Sequence, residues 1–144
     1  MQLKVIKYDL FTIDDPAYYF AHCISSDFAL GAGIAVTFDK KYNMRLKLEV
    51  NYPEVKANQI VGNALIVDNV FNLVTKKRYF DKPTYTTLTL ALLEIRNWVI
   101  AYNIKKLGMP KIGCGLDKLE WSKVEDIIRQ TFKDTDVKIT VCYL

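Results

Sequence analysis

The amino-acid sequence predicts one domain of the α/β class over residues 1–144. In its second half, short runs of apolar and β-branched residues alternate with longer segments whose apolar residues recur at helical spacing, as in layered α/β proteins. A chain of 144 residues with 51% apolar residues is long enough to bury one substantial core. The sequence contains no internal repeat and no low-complexity segment.

The first half predicts two strands and one helix. Leu3 and Val5 alternate with polar neighbours in a strand that ends near Asp9, and Tyr18–Ile24 is apolar enough for a second, buried strand. The small-residue loop Gly31–Ala35 then leads into a helix that packs through Ile34 and Phe38. From 44 to 59 the pattern is weak and a proline interrupts it, so we expect a mixture of helix and loop there.

The second half predicts a hairpin and then a βαβ succession. Val61–Val67 and Val70–Thr75 are two strand-like runs separated by Asp68-Asn69, a pair suited to a tight turn. Pro83 opens the clearest helix of the chain, which ends near Asn103. A short strand at 107–109, a helix starting near 119 and a closing strand at 137–143 complete the sequence.

The stretch Pro110–Asp117, Pro-Lys-Ile-Gly-Cys-Gly-Leu-Asp, lies between the short strand and the last helix. Its glycines let the backbone approach a ligand without an intervening Cβ, and N–H groups near a helix start can hold an anion such as a phosphate. The alternative is a tight turn with no ligand. The loop Gly31–Ala35 offers a second stretch of the same kind.

Charge and cysteine content restrict the partners. The net charge of +4 suits a phosphate-bearing ligand, although it is smaller than a dedicated nucleic-acid surface would need. Three cysteines without a C-x-x-C spacing, together with a single histidine, argue against a zinc site, so we expect neither metal nor cofactor. No secretory h-region and no membrane-spanning run is present, which predicts a cytoplasmic protein without a membrane partner.

The chain resembles the macrodomain family over nearly its whole length. It is most similar to the terminal ADP-ribose protein glycohydrolase type, or O-acyl-ADP-ribose deacylase, which is related to antitoxin macrodomains that remove ADP-ribose from DNA. The motifs that carry the resemblance are Ala21–Ser25, Gly31–Ala35, Phe38–Tyr42, Val74–Arg78, Lys82–Tyr85 and Pro110–Asp117 with Trp121. The resemblance implies a three-layer α/β/α fold with a mixed central sheet and ADP-ribose in a cleft at the strand ends.

The resemblance also implies which residues surround ADP-ribose. Asp9 and Leu10 would meet the adenine, although Tyr8 stands where the family usually has glycine. Without the resemblance, Asp9 is equally a turn former, Ser25 a local cap and Leu144 a strand residue that completes the core. The full predicted set is Asp9, Leu10, Ser25, Gly31, Ala32, Gly33, Ile34, Ala35, Lys111, Ile112, Gly113, Cys114, Gly115, Leu116 and Leu144.

Lys76 and Asp117 are the catalytic residues that the resemblance implies. Lys76 would attack the anomeric carbon of the distal ribose and form a covalent lysyl intermediate, which requires a neutral amine; burial and the charges of Lys77 and Arg78 would favour that form. Asp117 would move protons at the same carbon. The alternatives are a solvated basic strand end for Lys76, and a capping box with Glu120 for Asp117.

Other reactive or aromatic residues are assigned to structure. His22 lies within an apolar strand and is read as a core residue rather than a catalytic base. Cys114 could be suspected as a thiol nucleophile paired with His22, but no third group orients such a pair, and a small cysteine packs well in a glycine loop. Trp98 and Trp121 fall on apolar helix stripes and are assigned to packing.

The leading hypothesis is a monomeric hydrolase that releases ADP-ribose from ester linkages on protein glutamate or aspartate, or from O-acyl-ADP-ribose. A reader that binds ADP-ribose without chemistry is the alternative from another class, and ADP-ribosylated DNA is a possible further substrate. A general RNA-binding domain is disfavoured because no nucleic-acid motif is present. The sequence does not choose among the substrates or identify the transferase that makes them.

Overall fold

The computed structural model describes residues 1–144 as a mixed six-stranded sheet between two layers of helices. The strands are β1 Gln2–Lys7, β2 Tyr18–Ser25, β3 Asn63–Val67, β4 Val70–Lys76, β5 Lys106–Met109 and β6 Lys138–Tyr143. The helices are α1 Ile34–Tyr42, α2 Met44–Asn51, α3 Pro53–Asn58, α4 Tyr85–Tyr102 and α5 Trp121–Phe132, with a 3-10 helix at Leu10–Thr12. This arrangement confirms the predicted α/β class with a mixed sheet.

The strand order is β1-β6-β5-β2-β4-β3, and every neighbouring pair is parallel except β3 and β4. The antiparallel pair is the predicted hairpin, which turns at Asp68 with a φ of 54°. Because β2, β4 and β5 are parallel neighbours, their carboxyl ends meet at one edge of the sheet. That edge is where an open α/β sheet is expected to bind a ligand.

Each face of the sheet buries its own apolar core. Helices α4 and α5 cover one face, where Leu92 and Ile128 pack with Phe71 of β4. Helices α1 to α3 cover the other, where Phe38 and Leu48 belong to a second buried cluster. The central strands are therefore apolar on both sides, as expected for a sheet sandwiched between helices.

Two predicted helix starts are wrong by a few residues. Helix α4 begins after Thr84, whose hydroxyl accepts from the Thr87 N–H in a capping box, so Pro83 precedes the cap and does not open the helix. Helix α5 begins after Glu120, so Asp117 is not its N-cap and the proposed capping box does not form. The region from 44 to 59 is more helical than predicted, because Pro53 occupies the first position of α3, where its missing N–H costs nothing.

No helix combines the length and the apolarity needed to cross a bilayer. No group of three or more His, Cys, Asp or Glu side chains is arranged to hold a metal ion. All three cysteines are free.

Candidate active site

A cleft of about 880 Å³ opens at the carboxyl ends of β2, β4 and β5. The chain leaves β2 toward α1 on one face of the sheet and leaves β5 toward α5 on the other, so the two connections separate and leave a crevice between them. The volume lies in the range of small-molecule and cofactor sites. The cleft is thus placed by the topology of the sheet.

Lys76 and Asp117 form an ion pair in this cleft. Lys76 is the last residue of β4 and Asp117 lies in the loop after β5, and Lys76 Nζ is 2.7 Å from Asp117 Oδ1. Their side chains are only 14% and 17% exposed, whereas most other ion pairs of the protein are well exposed to solvent. The fold therefore brings the two predicted catalytic residues into direct contact across 41 positions of sequence.

The surroundings of Lys76 differ from the expected ones. Lys77 and Arg78 point into solvent, and the Arg78 guanidinium pairs with Asp81. The closest charged group to the Lys76 amine is thus a carboxylate and not another cation. The expected neighbouring cations therefore do not surround this amine, and Asp117 Oδ1 is the charged group within hydrogen-bond reach of Nζ.

The loop Gly31–Ala35 forms one wall of the cleft. Gly33 is the N-cap of α1 with φ 61° and ψ −148°, a conformation that is almost restricted to glycine, and no side chain caps the helix. Val36 N–H donates to the Gly33 carbonyl at 3.2 Å, but the N–H groups of Ile34 and Ala35 before it have no partner within the helix. They face the cleft at the positive end of the helix dipole, where an anion is stabilised.

The loop Lys111–Leu116 forms the opposite wall. Gly113 has φ 72°, and a Cβ at this position would lie 2.8 Å from Leu119 Cδ1, so the turn requires glycine. The N–H groups of Gly115 and Leu116 have no acceptor within the protein. Because α5 begins only at Trp121, this wall offers loop N–H groups, and the predicted contribution of a helix start is absent.

The two loops face each other across the cleft. A Cβ placed on Gly33 would lie 3.7 Å from Leu116 Cδ1, and Lys82 Nζ donates to the Leu116 carbonyl at 3.3 Å. The predicted residues that line the cleft are Ser25, Gly31, Ala32, Gly33, Ile34, Ala35, Lys76, Lys111, Ile112, Gly113, Gly115, Leu116 and Asp117.

The remaining predicted residues lie outside this lining. The Asp9 carboxylate accepts from the Phe11 N–H and so caps the 3-10 helix, as the turn-former alternative expected, and Leu10 is buried against Gly108. Leu144 is 90% exposed, so the alternative in which it completes the core is wrong. Asp9 and Leu144 follow the adjacent strands β1 and β6, whose ends are joined by the bond from Tyr8 N–H to the Tyr143 carbonyl. Their contact with adenine stays a prediction.

The structure does not pair Cys114 with His22. The His22 ring is fully buried and its Nε2 lies 2.6 Å from Asn72 Oδ1, while the Cys114 thiol donates to the Ile112 carbonyl. Burial raises the pKa of the Cys114 thiol, and it raises the pKa of the Cys23 thiol in the cleft to about 12. Both thiols stay protonated, which disfavours a thiolate nucleophile.

Asp27 lies just outside the cleft lining and holds two lining residues, and sequence reasoning missed it. Its carboxylate accepts from the Ser25 hydroxyl, from the Ala29 N–H at 3.1 Å and from the Tyr79 N–H at 2.9 Å. It thereby ties the exit of β2 to the segment that follows β4. An aspartate two residues after a strand-end serine is typical of a local turn, but the bond to Tyr79 spans 52 positions and leaves no local signal.

The missed residues also include two exposed aromatic side chains, Tyr79 and Phe80, which line the cleft beyond Lys76. Two adjacent aromatic residues directly after the basic cluster Lys76–Arg78 are the only sequence signal for them.

Comparisons with known proteins agree with this geometry. The chain superposes on the macrodomain of Mycobacterium tuberculosis DarG with a TM-score of 0.84 at 20% identity, covering 99% of this chain and 98% of that one. It is 37% identical over 140 residues to the human ADP-ribose glycohydrolase OARD1, which covers 97% of this chain and 90% of the relative. The chain belongs to the macrodomain family of ADP-ribose glycohydrolases.

The bovine ADP-ribose glycohydrolase OARD1 is 36% identical over 140 residues, with the same coverage. A Thermosipho africanus DarTG structure in complex with ADP-ribose matches with a TM-score of 0.70 at 17% identity, over 98% of this chain and 41% of that chain. No protein-family model matches the sequence. The macrodomain resemblance and the predicted three-layer fold are thus confirmed.

Proposed function

We propose that this macrodomain binds ADP-ribose in the cleft and hydrolyses an ester bond at the anomeric carbon of the distal ribose through a covalent intermediate on Lys76. The observation that carries the proposal is the 2.7 Å contact between Lys76 Nζ and Asp117 Oδ1 between two glycine-containing walls. The relatives named ADP-ribose glycohydrolases support hydrolysis over simple binding.

The two walls suit a pyrophosphate. The free N–H groups of the α1 start lie on one side and those of Gly115 and Leu116 on the other, so each phosphate would have backbone donors without a bulky side chain between. With the adenosine directed toward Asp9 at the β1 edge, the distal ribose reaches the end of β4. That orientation brings the anomeric carbon to Lys76.

In the first step the Lys76 ammonium passes a proton to Asp117, and the freed Nζ lone pair attacks the anomeric carbon. The bond from that carbon to the acyl oxygen breaks, and the carboxylate product leaves with the bonding electrons. The short distance between Nζ and Oδ1 allows the transfer without an intervening water.

In the second step water adds to the anomeric carbon, and Nζ departs with the electrons of the carbon–nitrogen bond. The water that has bonded to the anomeric carbon loses a proton, and Asp117 still holds the proton that it received from the Lys76 ammonium. One of these protons restores the Lys76 ammonium and the other is released with the carboxylic acid product. ADP-ribose, the acid and the resting ion pair result.

The test compares wild type with Lys76→Ala and Asp117→Asn, using O-acetyl-ADP-ribose and a glutamate-ADP-ribosylated peptide. We expect both variants to lose at least about a hundredfold in kcat, as is common when an acid, base or nucleophile is removed. Their dissociation constants for ADP-ribose in isothermal titration should change by less than about tenfold, because the phosphate walls are intact.

Lys138→Ala is the matched control. Lys138 is an exposed lysine at the amino end of β6, whereas the cleft lies at the carboxyl ends of the strands. It should retain full turnover. Acid-quenched intact-mass spectrometry of wild type during turnover should show one ADP-ribose on the protein, and none on Lys76→Ala. Full turnover by Lys76→Ala would contradict the lysine mechanism, and tight ADP-ribose binding without product from any ester would favour a reader.

The absence of any disulfide among three cysteines supports the expectation of a reducing compartment, the cytoplasm.

A further inference from the structure

We propose that a bulge at the end of β4 aims the Lys76 amine at Asp117, and that Thr87 of α4, whose hydroxyl holds this bulge, is a positioning residue for the nucleophile. The inference rests on the proposed role of Lys76 and adds to it a residue that lies outside the cleft lining. We call the segment Val74, Thr75 and Lys76 the β4 bulge.

The β4 bulge is one extra residue in the pairing of β2 with β4. Ile24 lies opposite Val74, but the next residue of β2, Ser25, lies opposite Lys76, so Thr75 has no partner residue on β2. The pairing of β4 with β3 also ends at Val74. Bulges are rare in parallel pairs; they increase the local twist, change the direction of a side chain and are frequent beside active sites.

The hydrogen bonds between β2 and β4 show the same shift. In the regular part of this pair the Phe20 N–H donates to the Asn69 carbonyl at 2.8 Å. The same offset would lead from the Ser26 N–H to the Thr75 carbonyl, but Ser26 donates to the Lys76 carbonyl at 2.9 Å. The Thr75 carbonyl is therefore released from the Ser26 N–H and needs another donor.

Thr87 in the first turn of α4 supplies that donor. Its hydroxyl donates to the Thr75 carbonyl at 2.7 Å and accepts from the Thr84 N–H at 3.2 Å, so the helix cap fixes its position. The hydroxyl of Thr75 itself is buried without a hydrogen-bond partner. Because an unpaired buried hydroxyl costs free energy, the β4 bulge is stabilised by its neighbours rather than by the Thr75 side chain.

The β4 bulge gives the Lys76 side chain a new direction. Side chains alternate between the two faces of a strand, so residue 76 of a regular strand would share the face of Val74, which packs in the cluster beneath α1 to α3. The Lys76 amine instead lies 2.7 Å from Asp117 Oδ1, in the connection that leads to α5 on the other face. We attribute this contact to the added twist of the bulge.

The chain is also fixed directly after Lys76. The Lys77 carbonyl accepts from the Ser26 hydroxyl at 2.8 Å and from the Asp27 N–H at 3.2 Å. These bonds do not involve Thr87. Loss of the Thr87 hydroxyl therefore loosens the β4 bulge and leaves the end of the strand attached to β2.

The experiment replaces Thr87 by valine, which keeps the branched shape and removes the hydroxyl. With O-acetyl-ADP-ribose as substrate we expect kcat to fall about ten- to a hundredfold, because a displacement of about 1 Å at a reacting group can cost this much. The dissociation constant for ADP-ribose in isothermal titration should change by less than about threefold, since both cleft walls are intact. Thr87→Ser retains the hydroxyl and should restore kcat.

Thr89→Val is the matched control, because the Thr89 hydroxyl also donates to a backbone carbonyl at 2.7 Å, that of Tyr85 in the same helix. It should keep the wild-type kcat. Thr84→Ala removes another bond of the cap, so it should lower the urea midpoint as Thr87→Val does and still keep the wild-type kcat. Equal kcat values for Thr87→Val and Thr84→Ala, whether both are high or both are low, overturn the proposal.

The covalent step shows whether Thr87 acts through Lys76. In single-turnover reactions quenched with acid, intact-mass spectrometry follows the appearance of the ADP-ribose adduct on the protein. The rate of adduct formation in Thr87→Val should also fall about ten- to a hundredfold. An adduct that forms at the wild-type rate overturns the positioning role.

Failure of the proposed hydrolysis is seen separately, as absence of product from every ester with wild type. Amide hydrogen exchange then decides whether Thr87 holds the β4 bulge. The Ser26 N–H, which donates to the Lys76 carbonyl, should exchange faster in Thr87→Val than in Thr89→Val, because its acceptor is less firmly held. Equal exchange in the two variants overturns the proposal.

Discussion

His22 lies on β2, one of the cleft-forming strands, as a fully buried imidazole whose ring centroid stacks 4.0 Å from that of Phe38. Its Nε2 pairs with Asn72 Oδ1, while Nδ1 has no partner. Burial lowers the pKa of His22 to about 4, and the Asn72 bond offsets this only partly. The ring is thus neutral in the folded protein, as expected for a core residue and unsuited to a base exposed to substrate.

This burial predicts a pH dependence of stability. An unfolded chain binds a proton at His22 near its ordinary pKa of about 6.5, but the folded chain does so only near 4. The unfolded state therefore holds more protons between these values, so the free energy of unfolding is highest above pH 6.5. It falls as the pH drops toward 4, by about 3 kcal/mol in total.

The measurement is urea unfolding at pH 7.5, 6.5, 5.5 and 5.0, where carboxylates contribute little. Because His22 is the only histidine, the slope in this window is assigned to it. His22→Gln keeps a donor for Asn72 and should lose the slope, even if it is less stable at pH 7.5. A His22→Gln protein with the wild-type slope would show that another group causes it.

At the level of elements, the start of α4 is fixed by reciprocal hydrogen bonds. The Thr84 hydroxyl accepts from the Thr87 N–H at 3.0 Å, and the Thr84 N–H donates to the Thr87 hydroxyl at 3.2 Å. The Thr87 hydroxyl in turn donates to the Thr75 carbonyl on β4 at 2.7 Å. The cap thus holds the helix start against the strand that carries Lys76.

We predict that Thr84→Ala lowers the free energy of unfolding by about 1 kcal/mol, because one first-turn N–H loses its acceptor. Thr86→Ala is the control: Thr86 is exposed in the same turn without a side-chain hydrogen bond and should change stability by less than about 0.5 kcal/mol. Urea unfolding of the three proteins measures both. Equal stability of the two variants would show that the cap contributes nothing.

Most elements could be predicted from sequence because their signals are local. The alternation in β1, the apolar runs of β3 and β4 around Asp68-Asn69, and the helical spacing of α4 all arise within a few residues. The cap at Thr84 was missed because Pro83, one residue earlier, gives the stronger local signal.

The start of α5 was missed because a further turn, whose residues carry no strong turn signal, delays it. The bond from Leu119 N–H to the Gly113 carbonyl and the φ of 61° at Lys118 carry the chain through another turn before Trp121. The ion pair of Lys76 with Asp117 could be placed only through the family resemblance, since the residues are far apart in sequence. The bond of Asp27 to Tyr79 had no such support and was not predicted.

At the scale of the whole molecule, the cleft lies between segments that belong to different cores. Gly31–Ala35 leads into α1 over one face of the sheet, whereas the loop after β5 leads into α5 over the other. A ligand held by both walls links the two helical layers. Its binding free energy is therefore added to the stability of the native state as a whole.

We predict that ADP-ribose at a hundredfold excess over its dissociation constant stabilises the protein by about 2.7 kcal/mol, an increase of several degrees in Tm. Ribose 5-phosphate at the same concentration should give a smaller shift, because it has one phosphate and cannot reach both walls with a pyrophosphate. Thermal unfolding monitored by circular dichroism measures both shifts. Equal shifts would show that the pyrophosphate is not what the walls recognise.

Alanine substitutions at two glycines with positive φ can distinguish a loss of protein stability from a loss of ADP-ribose binding. Gly33 lies in the cleft wall, whereas Gly62 has φ 85° and lies outside the cleft beside Leu90. Gly33→Ala and Gly62→Ala should each destabilise the ligand-free protein by about 1–3 kcal/mol, because alanine is strained in both conformations. Only Gly33→Ala alters the wall that faces the pyrophosphate. At one fixed ADP-ribose concentration, Gly33→Ala should therefore lose most of the ligand-induced rise in Tm. Gly62→Ala should keep the full rise, although its ligand-free Tm is lower than that of wild type. A full rise in Gly33→Ala would mean that the α1 wall does not hold the ligand.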